Sequence, residues 1–124
     1  MNADVEPLFV QVARFVQDRI VDGTLSAGDR APSTNELAAF HEINPATARK
    51  GLSLLVDAGV LTKRRELGIF VTEGARDRIL AQRRAELAGA YIAALIDGAL
   101  RLGYDRVELY ALKNNVAESR GMYR

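Results

Sequence analysis

Ser33-Thr34-Asn35-Glu36-Leu37-Ala38-Ala39-Phe40-His41-Glu42-Ile43-Asn44-Pro45-Ala46-Thr47-Ala48-Arg49-Lys50 is the stretch that decides the fold. Ser33 and Glu36 have the spacing of a capping box, in which the serine hydroxyl bonds the Glu36 amide and the glutamate reaches back. Leu37, Ala38 and Phe40 follow, so the spacing predicts a short helix to about His41. After a tight turn Asn44 is a good N-cap, and Pro45 sits where no amide hydrogen is needed. Ala48, Leu52, Leu55 and Val56 supply the inward face of this second helix, Pro45 to Ala58, and Gly59 stops it. Two helices joined by so short a turn form a helix-turn-helix.

The flanks extend the same architecture. Val60–Lys63 and Ile69–Thr72 read as two strands around a turn from Arg64 to Gly68, a hairpin placed where a winged helix carries its wing. Upstream, Leu8, Val12, Phe15, Val16 and Ile20 recur at helical spacing between Pro7 and Val21, and Gly23 ends that helix. The connector Thr24–Pro32 is rich in turn residues, with room for a short extended piece around Leu25. Downstream, Ala75 to Leu102 carries one long helical pattern with two apolar stripes. One is Leu80, Leu87, Tyr91, Leu95 and Leu102; the other is Ile92, Ile96 and Leu100. Gly103 stops it, and Asp105 with Glu108 opens a last helix carrying Val107, Leu109, Leu112 and Val116. The end, from Glu118 to Arg124, reads as polar and frayed. The fold class expected is therefore mainly α with a small β-hairpin: a winged helix-turn-helix domain over residues 1–74, then a helical dimerisation segment over 75–124.

Composition narrows the function. Cysteine is absent, which removes disulfides and thiolate chemistry and fits a reducing cytoplasm. Met1 to Glu6 is acidic and lacks the basic start of a signal peptide, and the apolar stretch Leu87–Leu100 is interrupted by Asp97 and too short for a membrane span. The net charge of +1 announces no polyanion partner by itself. Local clustering does: Arg49-Lys50 and Lys63-Arg64-Arg65 crowd cations into a span whose one acid is Asp57. No phosphate-binding glycine motif, Ser/His/Asp constellation or paired histidines support an enzyme. His41, the single histidine, reads as a helix-end residue, and neither a metal nor a cofactor is expected.

The order of motifs resembles the GntR family of bacterial transcription regulators. Pro7-Leu8, Leu25-x-x-Gly28-Asp29-Arg30, Pro32-Ser33, Glu36-Leu37-Ala38, Asn44-Pro45-x-Thr47-x-Arg49-Lys50, and Gly59-Val60-Leu61 leading to Gly68-Ile69-Phe70-Val71 carry the likeness. The Asn-Pro step and the short tail are similar to the YtrA-type subfamily. The resemblance implies a DNA-binding dimer that represses a nearby operon, often one encoding a transporter. Asn35, Pro45 and Glu66 depart from the residues common in the family, and Glu66 puts a carboxylate near the minor groove.

On helical geometry Ala46, Thr47, Arg49 and Lys50 point outward from the second helix, whose N-terminal residues enter the major groove in such domains. Arg49 is the expected base reader, and Thr47 meets a base edge or phosphate. Asn44, at the start of the helix, is placed with them. Ser33 and Thr34 offer amides and hydroxyls to phosphate at the first helix start, with Ser33 a cap first. Arg30 either assists or is a solvated charge. Lys63, Arg64 and Arg65 belong to the wing, with Gly68 supplying a positive backbone angle. Leu87, Tyr91, Ile92, Leu95, Ile96, Leu100, Leu109 and Leu112 are the expected interface of a homodimer on double-stranded operator DNA. Tyr91, Tyr104 and Tyr110 are read as packing residues rather than the lining of a ligand pocket. A small-molecule effector is left open, and the alternative to operator binding is a winged-helix protein-interaction module.

Overall fold

The computed structural model describes residues 6–124; the reading of the first residues, Met1 to Val5, lies outside them. The chain is mainly helical with one antiparallel hairpin. The elements are α1 (Leu8–Val21), α2 (Thr34–His41), α3 (Pro45–Asp57), β1 (Leu61–Arg64), β2 (Gly68–Val71), α4 (Ala75–Glu86), a π-helical stretch (Leu87–Ile92), α5 (Ala93–Arg101) and α6 (Arg106–Ser119). Two compact units result, one through Gln82 and one over Arg83–Arg124.

In the first unit a three-helix core is closed by the hairpin. Val12, Val16 and Ile20 of α1, Leu37 and Ala38 of α2, and Ala48, Leu52 and Leu55 of α3 are buried together with Val60, Leu61 and Val71. Each such valine, leucine or isoleucine contributes about 1.5–3 kcal/mol by leaving water, and each alanine less. Ala75 and Ile79 join this core, which is why the unit runs past Gly74 into α4. Asp22 caps α1: its carboxylate accepts from the Thr24 amide at 2.9 Å, and hydrogen bonds from Thr24 hold its pKa below the ordinary value.

Phe40 does not join the core with Leu37 and Ala38; it is 70% exposed. Its ring lies 5.2 Å from that of Phe15, and the His41 ring stands edge-on to Phe15 at 4.7 Å. The extended piece of the connector is not at Leu25 but at Arg30. Ala31 donates to the Ile69 carbonyl at 2.8 Å and Val71 donates to the Asp29 carbonyl at 2.8 Å, so the connector pairs with β2. Leu25 is instead tied to the end of α1, its amide donating to the Arg19 carbonyl.

In the second unit α5 ends at Gly103, whose φ of 78° lets the Tyr104 amide reach back to the Ala99 carbonyl at 2.9 Å. Asp105 and Glu108 form the capping box that starts α6. The chain end is not frayed from Glu118: α6 continues to Ser119, and Gly121, at φ 88°, lets the Met122 amide bond the Ala117 carbonyl. Ala99 is the one buried residue of this unit. The π-helical stretch holds more residues per turn than an α-helix, so Leu87 and Tyr91 are re-phased against the α5 positions that follow.

Candidate nucleic-acid interface

The helix-turn-helix is built from local hydrogen bonds. The Ser33 hydroxyl accepts from the Glu36 amide at 3.1 Å, and Glu36 accepts from the Ser33 amide at 3.3 Å. Glu42 makes the turn in the left-handed region at φ 55°, and Ile43 donates to the Ala38 carbonyl. Asn44 then caps α3, its Oδ1 accepting from the Ala46 amide at 2.8 Å. That bond commits the Asn44 oxygen and leaves its amide hydrogens for another partner.

Along α3, Ala46, Arg49 and Lys50 are exposed and Thr47 is half-buried, while Ala48, Gly51, Leu52 and Leu55 face the core. Gly51 is a residue that pattern reading passed over. A Cβ there would stand 2.8 Å from the Phe9 carbonyl oxygen and 3.0 Å from a Val12 methyl, so only glycine lets α3 lie this close to α1. Lys50 does not simply project outward: its Nζ lies 4.0 Å above the Phe9 ring. Hydrophobic periodicity shows neither feature, because both depend on which residues of α1 happen to face α3.

The wing is a ladder in which Leu61 pairs with Val71, Thr62 with Phe70, Lys63 with Ile69 and Arg64 with Gly68. Thr62 and the Thr72 hydroxyl share a 2.7 Å hydrogen bond. The turn closes through the Leu67 amide on the Arg64 carbonyl, with Glu66 at φ 64°. Glycine or asparagine favours that third turn position, and a glutamate there is held against its preference. Gly68 has φ 116°, as the turn requires. Arg64 packs its guanidinium 4.8 Å from the centre of the Phe70 ring.

The cations expected at the site share one property: Arg30, Arg49, Lys50, Lys63, Arg64 and Arg65 are exposed, and among the described residues none is ion-paired to a carboxylate. Lys50 and Arg64 rest on aromatic rings, whereas the side chains of Arg49, Lys63 and Arg65 have no ring, hydrogen-bond or ionic partner among the described residues. Ser33 and Thr34 are half-buried at the start of α2. A helix with uncommitted donors near its N-terminus beside a cationic hairpin is suited to a groove and its flanking phosphates.

Comparison with known proteins agrees with this geometry. The family model for "Bacterial regulatory proteins, gntR family" matches residues 8–71. The chain is 27% identical over 104 residues to the HTH-type transcriptional regulator YhcF of Bacillus subtilis, covering 84% of each. It is 25% identical over 112 residues to the HTH-type transcriptional repressor YtrA of the same organism, covering 90% of this chain and 83% of that one. A crystal structure of a GntR-family regulator from Bacteroides thetaiotaomicron superposes with a TM-score of 0.75 at 22% identity, over 93% of this chain and all of that one, a likeness of fold. These relatives are transcription regulators rather than enzymes.

Proposed function

Because the chain belongs to the gntR family of bacterial regulatory proteins, and so is a transcription regulator with a DNA-binding helix-turn-helix, we propose that it is a homodimeric repressor whose two α3 helices read an inverted-repeat operator. What supports operator reading is the set of unpaired cations on α3 and the wing. Among them Arg49 is assigned to a base edge, guanine O6 and N7 being the acceptors a guanidinium meets best. Ala46, Thr47 and Asn44 share the groove, and Ser33, Thr34, Lys50, Lys63, Arg64 and Arg65 the phosphates.

The dimer rests on the second unit. Leu87, Tyr91, Ile92, Leu95, Ile96, Leu100 and Leu112 are exposed, and Leu109 is only half-buried. Between α5 and α6 an open groove of about 450 Å³ is lined by Ile92, Leu95, Ile96, Leu100, Leu109 and Tyr110. A helical pair with this much apolar surface is not stable facing water, and a second copy of the same pair covers it. An effector, where one acts, competes for this groove and changes the dimer. YtrA being a repressor favours repression, and the family resemblance favours an operon near the regulator's own gene. Such a protein works in the cytoplasm, with the chromosome; no helix among the described residues is long and apolar enough to cross a membrane.

The test is selection of duplexes from a random pool by the full-length protein. The expected result is enrichment of one inverted repeat whose half-sites lie about one helical turn apart or a multiple of it. Retention of duplexes without any enriched sequence would overturn the operator-reading function.

A further inference from the structure

We propose that Arg30 belongs to the wing: Gly68 holds its guanidinium on the hairpin's outer face, where Arg30 and Arg64 together grip the phosphates of one DNA strand. The proposal deepens the operator-binding reading and rests on it.

Residues paired across antiparallel strands share a face, and successive residues alternate between faces. Ile69 and Val71 pack toward the core, so their partners Lys63 and Leu61 lie on the inner side of the hairpin. Thr62, Arg64, Gly68 and Phe70 lie on the outer side, and the bridge between Arg30 and Phe70 adds Arg30 to that side. Adjacent cations of β1 are thereby separated: Lys63 and Arg64 point to opposite faces.

The Arg30 side chain does not stay beside its backbone partner Phe70. A Cβ built on Gly68 would stand 3.0 Å from the Arg30 Nε, 3.2 Å from Nη2 and 3.4 Å from Cζ, so the planar guanidinium occupies the space a side chain at 68 would need. Gly68 is the first residue of β2. The Arg30 side chain therefore runs along the sheet toward the turn, while the Arg64 guanidinium leans back over Phe70, so the two charges lie on one face of the wing, one at Gly68 and one over the Phe70 ring. Phe70 supports the arrangement from the other side, with the Arg64 guanidinium over its ring.

Neither guanidinium is ion-paired among the described residues, so both planar donor groups are open to an anion. At the turn itself Arg65 is followed in the chain by Glu66, so the turn carries one cation and one acid and no net charge. The outer face, not the turn, is then the most cationic part of the wing, and two planar donor groups on one face suit successive phosphates. In this arrangement Gly68 is a positioning residue and Arg30 a contact residue.

The experiment measures the affinity of the full-length protein for its selected duplex over a range of salt concentrations. Arg30→Ala and Arg64→Ala are each expected to lower the slope of log affinity against log salt by about 0.9, the value for one phosphate contact. Gly68→Ala is expected to lower it equally when Arg30 is present and not at all in an Arg30→Ala background. A purely structural role for the glycine, whose φ disfavours alanine in any background, moves melting temperature in both backgrounds but leaves the slope. Additive slope losses for Gly68→Ala and Arg30→Ala, or an unchanged slope for Arg30→Ala, would overturn the proposal while Arg49→Ala still reports operator binding. If Gly68→Ala does not fold, Arg30→Ala, Arg64→Ala and their double variant decide, with about 1.8 expected for the pair. Wild-type protein without salt-dependent duplex binding would overturn the operator-binding reading itself, and this proposal with it.

Discussion

Replacing Gly51 by alanine adds one methyl group at the contact between α1 and α3. In a helix interior that change alone is worth about 1 kcal/mol in favour of alanine. Here the new Cβ would lie 2.8 Å from the Phe9 carbonyl oxygen, 3.0 Å from Val12 Cγ1 and 3.1 Å from Val12 Cβ. The oxygen belongs to the helix backbone and Val12 is buried and β-branched, so neither has a second position to take. Relief requires α3 to move away from α1 by roughly half an ångström, and overpacking of this kind costs about 1–3 kcal/mol. The overpacking term offsets or exceeds the propensity gain, leaving Gly51→Ala destabilised by up to about 2 kcal/mol and lowering its melting temperature by up to about 16 °C for a domain of this size. Gly98→Ala is the matched control: its Cβ meets nothing within 4 Å in the protomer, so the helix-propensity gain of about 1 kcal/mol stands alone. Thermal unfolding followed by far-ultraviolet circular dichroism gives both values. If Gly51→Ala raised the melting temperature as much as Gly98→Ala does, the packing argument for the α1–α3 contact would be wrong.

Arg49→Ala is expected to cost about 1–3 kcal/mol at the selected operator and to relax preference at one symmetric base pair, measured by competition against point-mutated duplexes; equal losses on operator and scrambled duplexes would make Arg49 a phosphate contact instead. Glu66→Gly relieves a left-handed glutamate at φ 64°, worth about 1–2 kcal/mol, and removes a carboxylate from the wing. It should raise the melting temperature and tighten binding to all duplexes, and looser binding at low salt would count against the wing facing DNA. Leu95→Glu with Ile96→Glu places charge on the exposed apolar face of α5. Sedimentation should then show a monomer whose operator affinity has fallen about 100-fold or more, because two half-sites no longer act as one; a dimer of unchanged stability would place the interface elsewhere.

Helix caps, helix spans and the hairpin were legible in the sequence because each is set by residues close together in the chain. Ser33 with Glu36, Asn44 with Pro45, and Asp105 with Glu108 form the bonds their spacing implies, since a capping hydrogen bond needs no partner from another element. The inward face of α3 followed for the same reason: Ala48, Leu52 and Leu55 return to one side every helical turn whatever they pack against. The order of these elements was enough to indicate the winged helix-turn-helix and its family. Tertiary structure alone decided what lies between elements. It put a close approach at Gly51, a ring beneath Lys50, the strand-like pairing at Arg30 rather than near Leu25, and Phe40 at the surface despite its place in an apolar run. It also separated Lys63 from Arg64, neighbours in the chain that a pleated strand sends to opposite faces, and seated Arg30 in the space Gly68 leaves open. In each case the deciding contact joins residues far apart along the chain, whose meeting is set by helix crossing and strand register and leaves no local pattern to read.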